Sequence, residues 1–196
     1  MKKIVLTTVA VFIFATCSNA KKYKTVSSSD YSDSAAKYMP LAIGNKWVYR
    51  VNYMGVTGQM DIEIVATDQE WFIDNKGVKL KVDRRGIRDK HRYLLMFPLQ
   101  KSPWISIVDL QTREVRETVG VNETINVLAG KFEGAVKVHT FVELPESKVL
   151  HSFQYFVAGI GIVKIETVLE DIKKGQTTTQ TVTELEKYSL VNSSKN

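Results

Sequence analysis

From residue 38 to residue 190 apolar and polar side chains alternate with a period of two, run after run. Trp47, Tyr49, Val51 and Tyr53 alternate with Val48, Arg50 and Asn52, and Met60, Ile62, Ile64 and Ala66 with Asp61, Glu63 and Val65. Successive side chains of a strand point to opposite faces, so this spacing predicts half-buried strands. Runs of the same kind cover 78–84, 91–97, 104–110, 114–119, 124–128, 134–143, 148–157, 161–169 and 178–190, about eleven strands in all. Asp74-Asn75-Lys76-Gly77, Leu144-Pro145-Glu146-Ser147 and Lys173-Lys174-Gly175-Gln176 carry the Gly, Pro, Asn and Asp chemistry of hairpin loops. Met39-Pro40-Leu41 precedes Trp47 and Phe97-Pro98-Leu99 precedes Trp104, a repeated way of starting a strand. Short strands, short connections and no amphipathic helix predict an all-β, antiparallel domain. So many strands in one sheet must curl, which favours a strongly curved sheet or partly open barrel over a two-sheet sandwich.

The two ends of the chain lack this pattern. Met1-Lys2-Lys3 and the apolar run 4–16 have the layout of a secretory signal, too short to span a bilayer of ~30 Å as a helix. Two cleavage schemes fit. Phe14-Ala15-Thr16-Cys17 resembles a bacterial lipoprotein box in which Cys17 becomes the lipidated N-terminus, although Thr16 stands where Gly or Ala is usual; alternatively, Ser18 and Ala20 suit ordinary cleavage after Ala20. The segment 21–38, rich in Ser, Asp, Lys and Ala, reads as a flexible tether, 39–190 as a single all-β domain, and 191–196 as a frayed tail. The expected location is the bacterial cell envelope, as an outer-membrane lipoprotein or in the periplasm, with secretion as the alternative.

Cys17 is the single cysteine, so the mature domain has no disulfide and must be stabilised by its core. Removal of Lys2 and Lys3 with the signal lowers the formal charge from +6 to +4. The positive charges are interleaved with acids apart from Lys21-Lys22-Tyr23-Lys24 and Arg84-Arg85, and no interleaved basic and aromatic motif suggests a nucleic-acid partner.

Three segments carry a resemblance. Pro40-Leu41-Ala42-Ile43-Gly44-Asn45-Lys46-Trp47-Val48-Tyr49, Ala129-Gly130-Lys131-Phe132 and Gly159-Ile160-Gly161-Ile162-Val163-Lys164 resemble the Pro-Leu-x-x-Gly-Asn-x-Trp-x-Tyr, Ala-Gly-x-Phe and Gly-x-Gly-x-Val-Lys segments of a group of uncharacterised bacterial exported proteins and lipoproteins. Leu128 stands where that group usually has proline. The resemblance implies an all-β envelope domain without an assigned activity.

No nucleophile elbow, zincin, P-loop or dinucleotide motif is present, and no cofactor or enzymatic activity is expected. Asn122-Glu123-Thr124 and Asn192-Ser193-Ser194 match the glycosylation pattern by chance in a chain with a bacterial signal. Asp61, Glu63, Glu133, Glu143, Glu166 and Glu184 occupy solvent-like positions of alternating strands. His91 stands apart. His139 and His151 flank the Pro145 loop, and aligning Val142 with Val149, Val138 with Phe153 and Val136 with Tyr155 sends the two rings to opposite faces, so they are not expected to share a metal. The remaining candidate site is an apolar concave face drawn from Trp47, Tyr49, Tyr93, Leu95, Trp104, Phe153 and Tyr155. It would suit a hydrophobic or lipid-like ligand, the alternative being a solid core in a structural or protein-interaction module of the envelope.

If Cys17 carries the anchor, Cys17→Ala is expected to release the protein from membranes or to block its processing. Two or three acyl chains hold a protein stably at ~0.8 kcal/mol per buried CH₂. Mass spectrometry of the mature N-terminus checks this: an unlipidated start at Lys21 overturns it.

Overall fold

The structure, a computed structural model, describes residues 35–99, 102–107 and 112–191. The signal, Cys17, most of the expected tether and the tail lie outside the described residues. Twelve strands follow in chain order: β1 (Lys46–Tyr53), β2 (Val56–Asp68), β3 (Trp71–Asp74), β4 (Lys79–Asp83), β5 (Gly86–Arg88), β6 (Tyr93–Met96), β7 (Trp104–Ile107), β8 (Arg113–Val127), β9 (Gly130–Leu144), β10 (Lys148–Val157), β11 (Gly161–Asp171) and β12 (Gln176–Ser189). All belong to one antiparallel sheet of order β6-β5-β4-β3-β2-β1-β12-β11-β10-β9-β8-β7. The expected all-β curved sheet or partly open barrel is what the chain forms. The strand inventory differs in two respects. Short β3 and β5 are additional, and the expected runs 114–119 and 124–128 are one strand, β8, whose pairing slips near Gly120 and Glu123 and passes through Asn122 at φ 63°.

Each strand pairs with the next in sequence except β6 with β7, and β1 pairs with β12. The first and last strands therefore lie in the middle of the sheet, and the two edges, β6 and β7, are consecutive in sequence. Side chains bridge this seam. Trp104 Nε1 donates to the Tyr93 carbonyl at 3.0 Å, and the Arg92 guanidinium beside β6 pairs with Glu114 of β8.

The interior holds two apolar clusters. One gathers Met39, Leu80, Ile87, Leu95, Val136, Val138 and Phe156, the other Trp47, Tyr49, Ile64, Val163 and Leu185. Trp47 is 1 % exposed, and its Nε1 donates to the Ile160 carbonyl at 2.6 Å. Tyr49, two residues on and on the same face, donates its hydroxyl to the Ile162 carbonyl at 2.9 Å. Both acceptors lie where β10 turns into β11, so β1 is tied across β12 to that turn. Gly161, at φ 109°, lets this backbone lie against the indole, its Cα hydrogen facing Trp47 Nε1 and Met39 Sδ.

The β8–β9 hairpin extends beyond its neighbours. Its two-residue turn, Leu128-Ala129, reaches β12, where the Ala129 amide donates to the Leu185 carbonyl at 2.8 Å. That carbonyl is free because pairing of β11 with β12 begins at Lys164 and Glu184. Ile125, Val127 and Phe132 of the hairpin tip pack against the second cluster, and Phe132 meets Tyr188 at 6.5 Å between ring centroids. The three segments that carry the sequence resemblance thus converge on one end of the barrel.

The described fold also includes residues of the expected tether, ahead of the Pro-Leu segment. Ala35 is fully buried at the start of a helical turn over 35–37, and the Lys37 carbonyl accepts the Gly159 amide at 2.6 Å.

Trp47→Ala removes a fully buried indole and its hydrogen bond and is expected to cost ~3–5 kcal/mol, against a usual total near 5–15 kcal/mol. Lys46→Ala, which removes an ion pair at 3.5 Å to the half-exposed Glu63, should change stability by less than about 1 kcal/mol. Urea melts of the two variants check the contrast.

Candidate functional site

Three places combine shape with chemistry. The first is at the end of the barrel just described. Gly44, at φ 90°, completes the turn before β1, and the Asn45 amide returns to the Ala42 carbonyl at 3.0 Å. The Asn45 side chain, 1 % exposed, then holds both ends of the domain: its Nδ2 donates to the Pro40 carbonyl at 2.6 Å and its Oδ1 accepts the Val191 amide at 2.7 Å. Beside this knot opens a cleft of about 670 Å³ whose walls include Ala36, Met39, Leu41, Phe72, Val82 and Leu190. Its size falls in the range of small-molecule sites, and its lining is chiefly apolar.

The second place is inside the barrel near the seam. Along β8 the inward side chains are Glu114, Arg116 and Thr118, all buried, while Val119 and Val121 are exposed. Arg116 donates to Glu114 Oε2 through Nε at 3.3 Å and Nη2 at 3.1 Å, and Arg92, itself paired with Asp89, reaches the other oxygen. Burial presses the Arg116 proton affinity down, and the Glu114 carboxylate opposes this. Four buried atoms in this district, Arg116 Nη1, Thr118 Oγ1, Thr140 Oγ1 and Gln154 Oε1, make no hydrogen bond among the described residues. Register explains their proximity: Arg116 lies opposite Thr140, and Val138 lies between Thr118 and Gln154. Buried water is the usual partner of such groups.

The third place lies on the other face of the sheet and overturns an expectation. The Pro145 loop holds three residues, not four: Leu144 pairs with Lys148 around Pro145, Glu146 and Ser147, the last two at φ 62° and 59°. The register moves by one, so His139 lies opposite Phe153 and His151 opposite Phe141. Both histidines therefore share one face. Their rings meet, His139 Nε2 to His151 Nδ1 at 2.9 Å, and a carboxylate stands at each outer nitrogen: Glu117 Oε1 at 3.3 Å from His139 Nδ1 and Glu170 Oε2 at 2.9 Å from His151 Nε2. Four strands, β8 to β11, contribute one residue each. Phe153 stacks on His139 at 4.7 Å and 13°. Burial lowers the His139 pKa from its ordinary value, with the Glu117 contact opposing it, so the neutral ring is favoured. Among the described residues, no group of three or more His, Cys, Asp or Glu side chains is arranged to hold a metal.

The residues expected on the concave face are divided by the sheet. Trp47, Tyr49 and Leu95 are buried inside, and burial pushes the Tyr49 phenol well above its usual range. Tyr93 and Trp104 sit half-buried at the seam, where the Tyr93 hydroxyl meets Asp83 at 3.0 Å. By register Phe153 and Tyr155 share the histidine face, with the Lys137 ammonium 4.7 Å and 5.3 Å from their ring centres, although Tyr155 is buried and joins the Trp47 cluster, with Phe153 packed against it. None of these lines the apolar cleft. The carboxylates have simple partners: Glu166 and Glu184 flank Lys164 at 3.7 Å each, Glu63 pairs with Lys46, and Glu133 pairs with Lys131. His91 belongs to a turn organised by Asp89, which accepts the His91 and Arg92 amides.

The cleft and the Arg116 district escaped the sequence reading. An alternating strand marks two faces without saying which is inside, and Val115 and Val119 are the natural inward choice. The Gly-Asn-x-Trp segment was visible, but its tie to Val191 joins residues 146 positions apart.

No protein-family model matches this chain, and no curated protein matches it. Among solved structures, an exported protein provisionally assigned from Bacteroides fragilis, described as having a YmcC-like fold, is similar at 15 % identity and a TM-score of 0.46, covering 78 % of this chain and 99 % of its own. A provisionally assigned lipoprotein from Parabacteroides distasonis is similar at 14 % identity and a TM-score of 0.44, covering 76 % and 96 %.

Glu114→Ala strands the Arg116 charge in the interior and is expected to cost about 3–5 kcal/mol. Thr140→Val replaces a partnerless hydroxyl by a methyl group and should be neutral or stabilising. Denaturant melts check both, and a loss above about 1 kcal/mol for Thr140→Val would show that its hydroxyl is satisfied by an internal partner.

Proposed function

We propose that this chain is a non-catalytic protein of the bacterial envelope that binds a hydrophobic, lipid-like ligand in the cleft beside Asn45, held to the membrane by a lipid on Cys17. The observation that carries the reading is the cleft itself. It is roomy, chiefly apolar, and built where the N-terminal and C-terminal segments of the domain meet. Ligand sites favour such preformed concave surfaces with a few fixed polar groups, and the Asn45 knot supplies rigidity without projecting a charge into the space.

Position supports the same reading. Ala36 lines the cleft, so the chain enters the fold at its rim. Cys17 precedes Ala36 by 19 positions, so a lipid on Cys17 would lie close in sequence to the cleft wall. The barrel interior suits an acyl ligand less well, because Arg116, Thr118, Thr140 and Gln154 bring unpartnered polar atoms into it.

A dansylated medium-chain fatty acid titrated into the protein tests the reading. Saturable fluorescence enhancement is expected, weakened at least about tenfold, or 1.4 kcal/mol, by Ala36→Glu. Ala36 is already exposed, so this charge should leave the melting behaviour unchanged. Partition without saturation, or equal affinity in the variant, overturns the cleft as a lipid site and leaves the protein-interaction alternative.

A further inference from the structure

We propose that His139 and His151 form a binding site for a divalent transition-metal cation of the zinc or copper type on the face of the sheet formed by β8 to β11. The geometry begins with the rings. Their centroids are 5.2 Å apart, their planes 18° apart, and the facing nitrogens 2.9 Å apart. The centroid distance is close to the nitrogen gap plus a ring radius at each end, so the imidazoles lie end to end, with His139 Nε2 and His151 Nδ1 directed at each other.

Hydrogen counting shows what this arrangement lacks. The Glu117 contact needs a hydrogen on His139 Nδ1, the Glu170 contact needs one on His151 Nε2, and the central contact needs a third. Two neutral imidazoles carry two hydrogens between them. With both outer hydrogens on the rings, the inner nitrogens are left as two facing lone pairs, which a single cation between them would satisfy. A proton is one solution. A metal ion is the other, each inner nitrogen becoming a ligand while the outer hydrogens stay on the carboxylates; uptake then releases the central proton to solvent.

The surroundings fit the second solution. Metal-bound histidines characteristically donate their other ring hydrogen to a carboxylate, which fixes the tautomer and raises the basicity of the ligating nitrogen. Here both rings have that partner, supplied by strands on either side of the pair. Phe153 stacks on His139 and Phe141 lies 5.6 Å from it, limiting the ring's freedom. Zinc bonds imidazole nitrogen at roughly 2.0–2.1 Å, and a tetrahedral angle sets two such nitrogens about 3.3–3.4 Å apart, so an opening of about half an ångström with a tilt of the rings admits the ion. The side chains remain 16 % and 22 % exposed, which leaves the outer coordination positions to water. Two protein nitrogens make this an exchangeable site, and imidazole selects late first-row cations over magnesium or calcium.

Zn²⁺ titrated into the full exported chain, free of any affinity tag, tests the proposal by calorimetry and by nuclear magnetic resonance of the histidine rings. The expected result is saturable uptake of one equivalent, with the ring signals of His139 and His151 shifting together and those of His91 unmoved. His139→Gln and His151→Gln should each abolish this uptake, and Glu117→Gln should weaken it roughly 10–100-fold. Absence of saturable binding, a shift confined to His91, or folded histidine variants that keep the affinity of the unchanged chain would overturn the site. The ring signals of the unchanged protein decide the matter even if a variant fails to fold.

Discussion

The structure depends on the closure of a long meander through its own ends. A sheet of twelve strands joined by hairpins would leave its first and last strands as exposed edges, and unpaired edges invite association. Here β1 and β12 pair with each other, so the edges move to short β6 and β7. What fixes β1 in that role is the pair of hydrogen bonds from Trp47 and Tyr49 to the carbonyls of Ile160 and Ile162. They join the start of the domain to a turn more than a hundred residues later. The Asn45 side chain adds the C-terminal segment to the same junction, and the long β8–β9 hairpin closes over it.

That junction also determines where a ligand site can form. One end of the barrel is occupied by the knot and the hairpin tip, whose apolar contacts leave a cleft beside them. The interior toward the seam is polar. Glu114 holds two guanidinium groups there, and the neighbouring threonines carry hydroxyls without partners among the described residues. A buried charge network of this kind is weak evidence for stability, but removal of one member leaves the others uncompensated. Among the described residues β6 and β7 form no backbone ladder, and this network together with the Trp104 indole supplies directional contacts across the seam.

The outer face contributes a different kind of order. Glu117, His139, His151 and Glu170 form a row running obliquely across four strands, each strand giving one side chain. Such a row exists only if all three registers agree, since a shift of one residue in any of them turns a member to the opposite face. The three-residue loop at Pro145 is therefore what makes the row possible.

Sequence alone determined the class of the fold. Period-two alternation and turn residues specify antiparallel strands because both are local properties of a pleated chain, and the number of strands was correct to within one. The importance of Gly44, Asn45, Trp47 and Gly161 was also legible, since few other residues meet the backbone and packing demands of such positions. Which face of β8 turns inward was not legible: its polar residues are the buried ones, and alternation has no sign. Nor was the histidine pairing, because Pro145-Glu146-Ser147 closes a hairpin one residue tighter than its composition suggests, through left-handed conformations at Glu146 and Ser147 that side chains other than glycine rarely adopt. The cleft beside Asn45 lay furthest from sequence reading, because its walls come from segments that meet only when the two ends of the domain are brought together. Local pattern fixes the strands, whereas register, inside and outside, and every contact across the barrel are set by packing the whole chain at once.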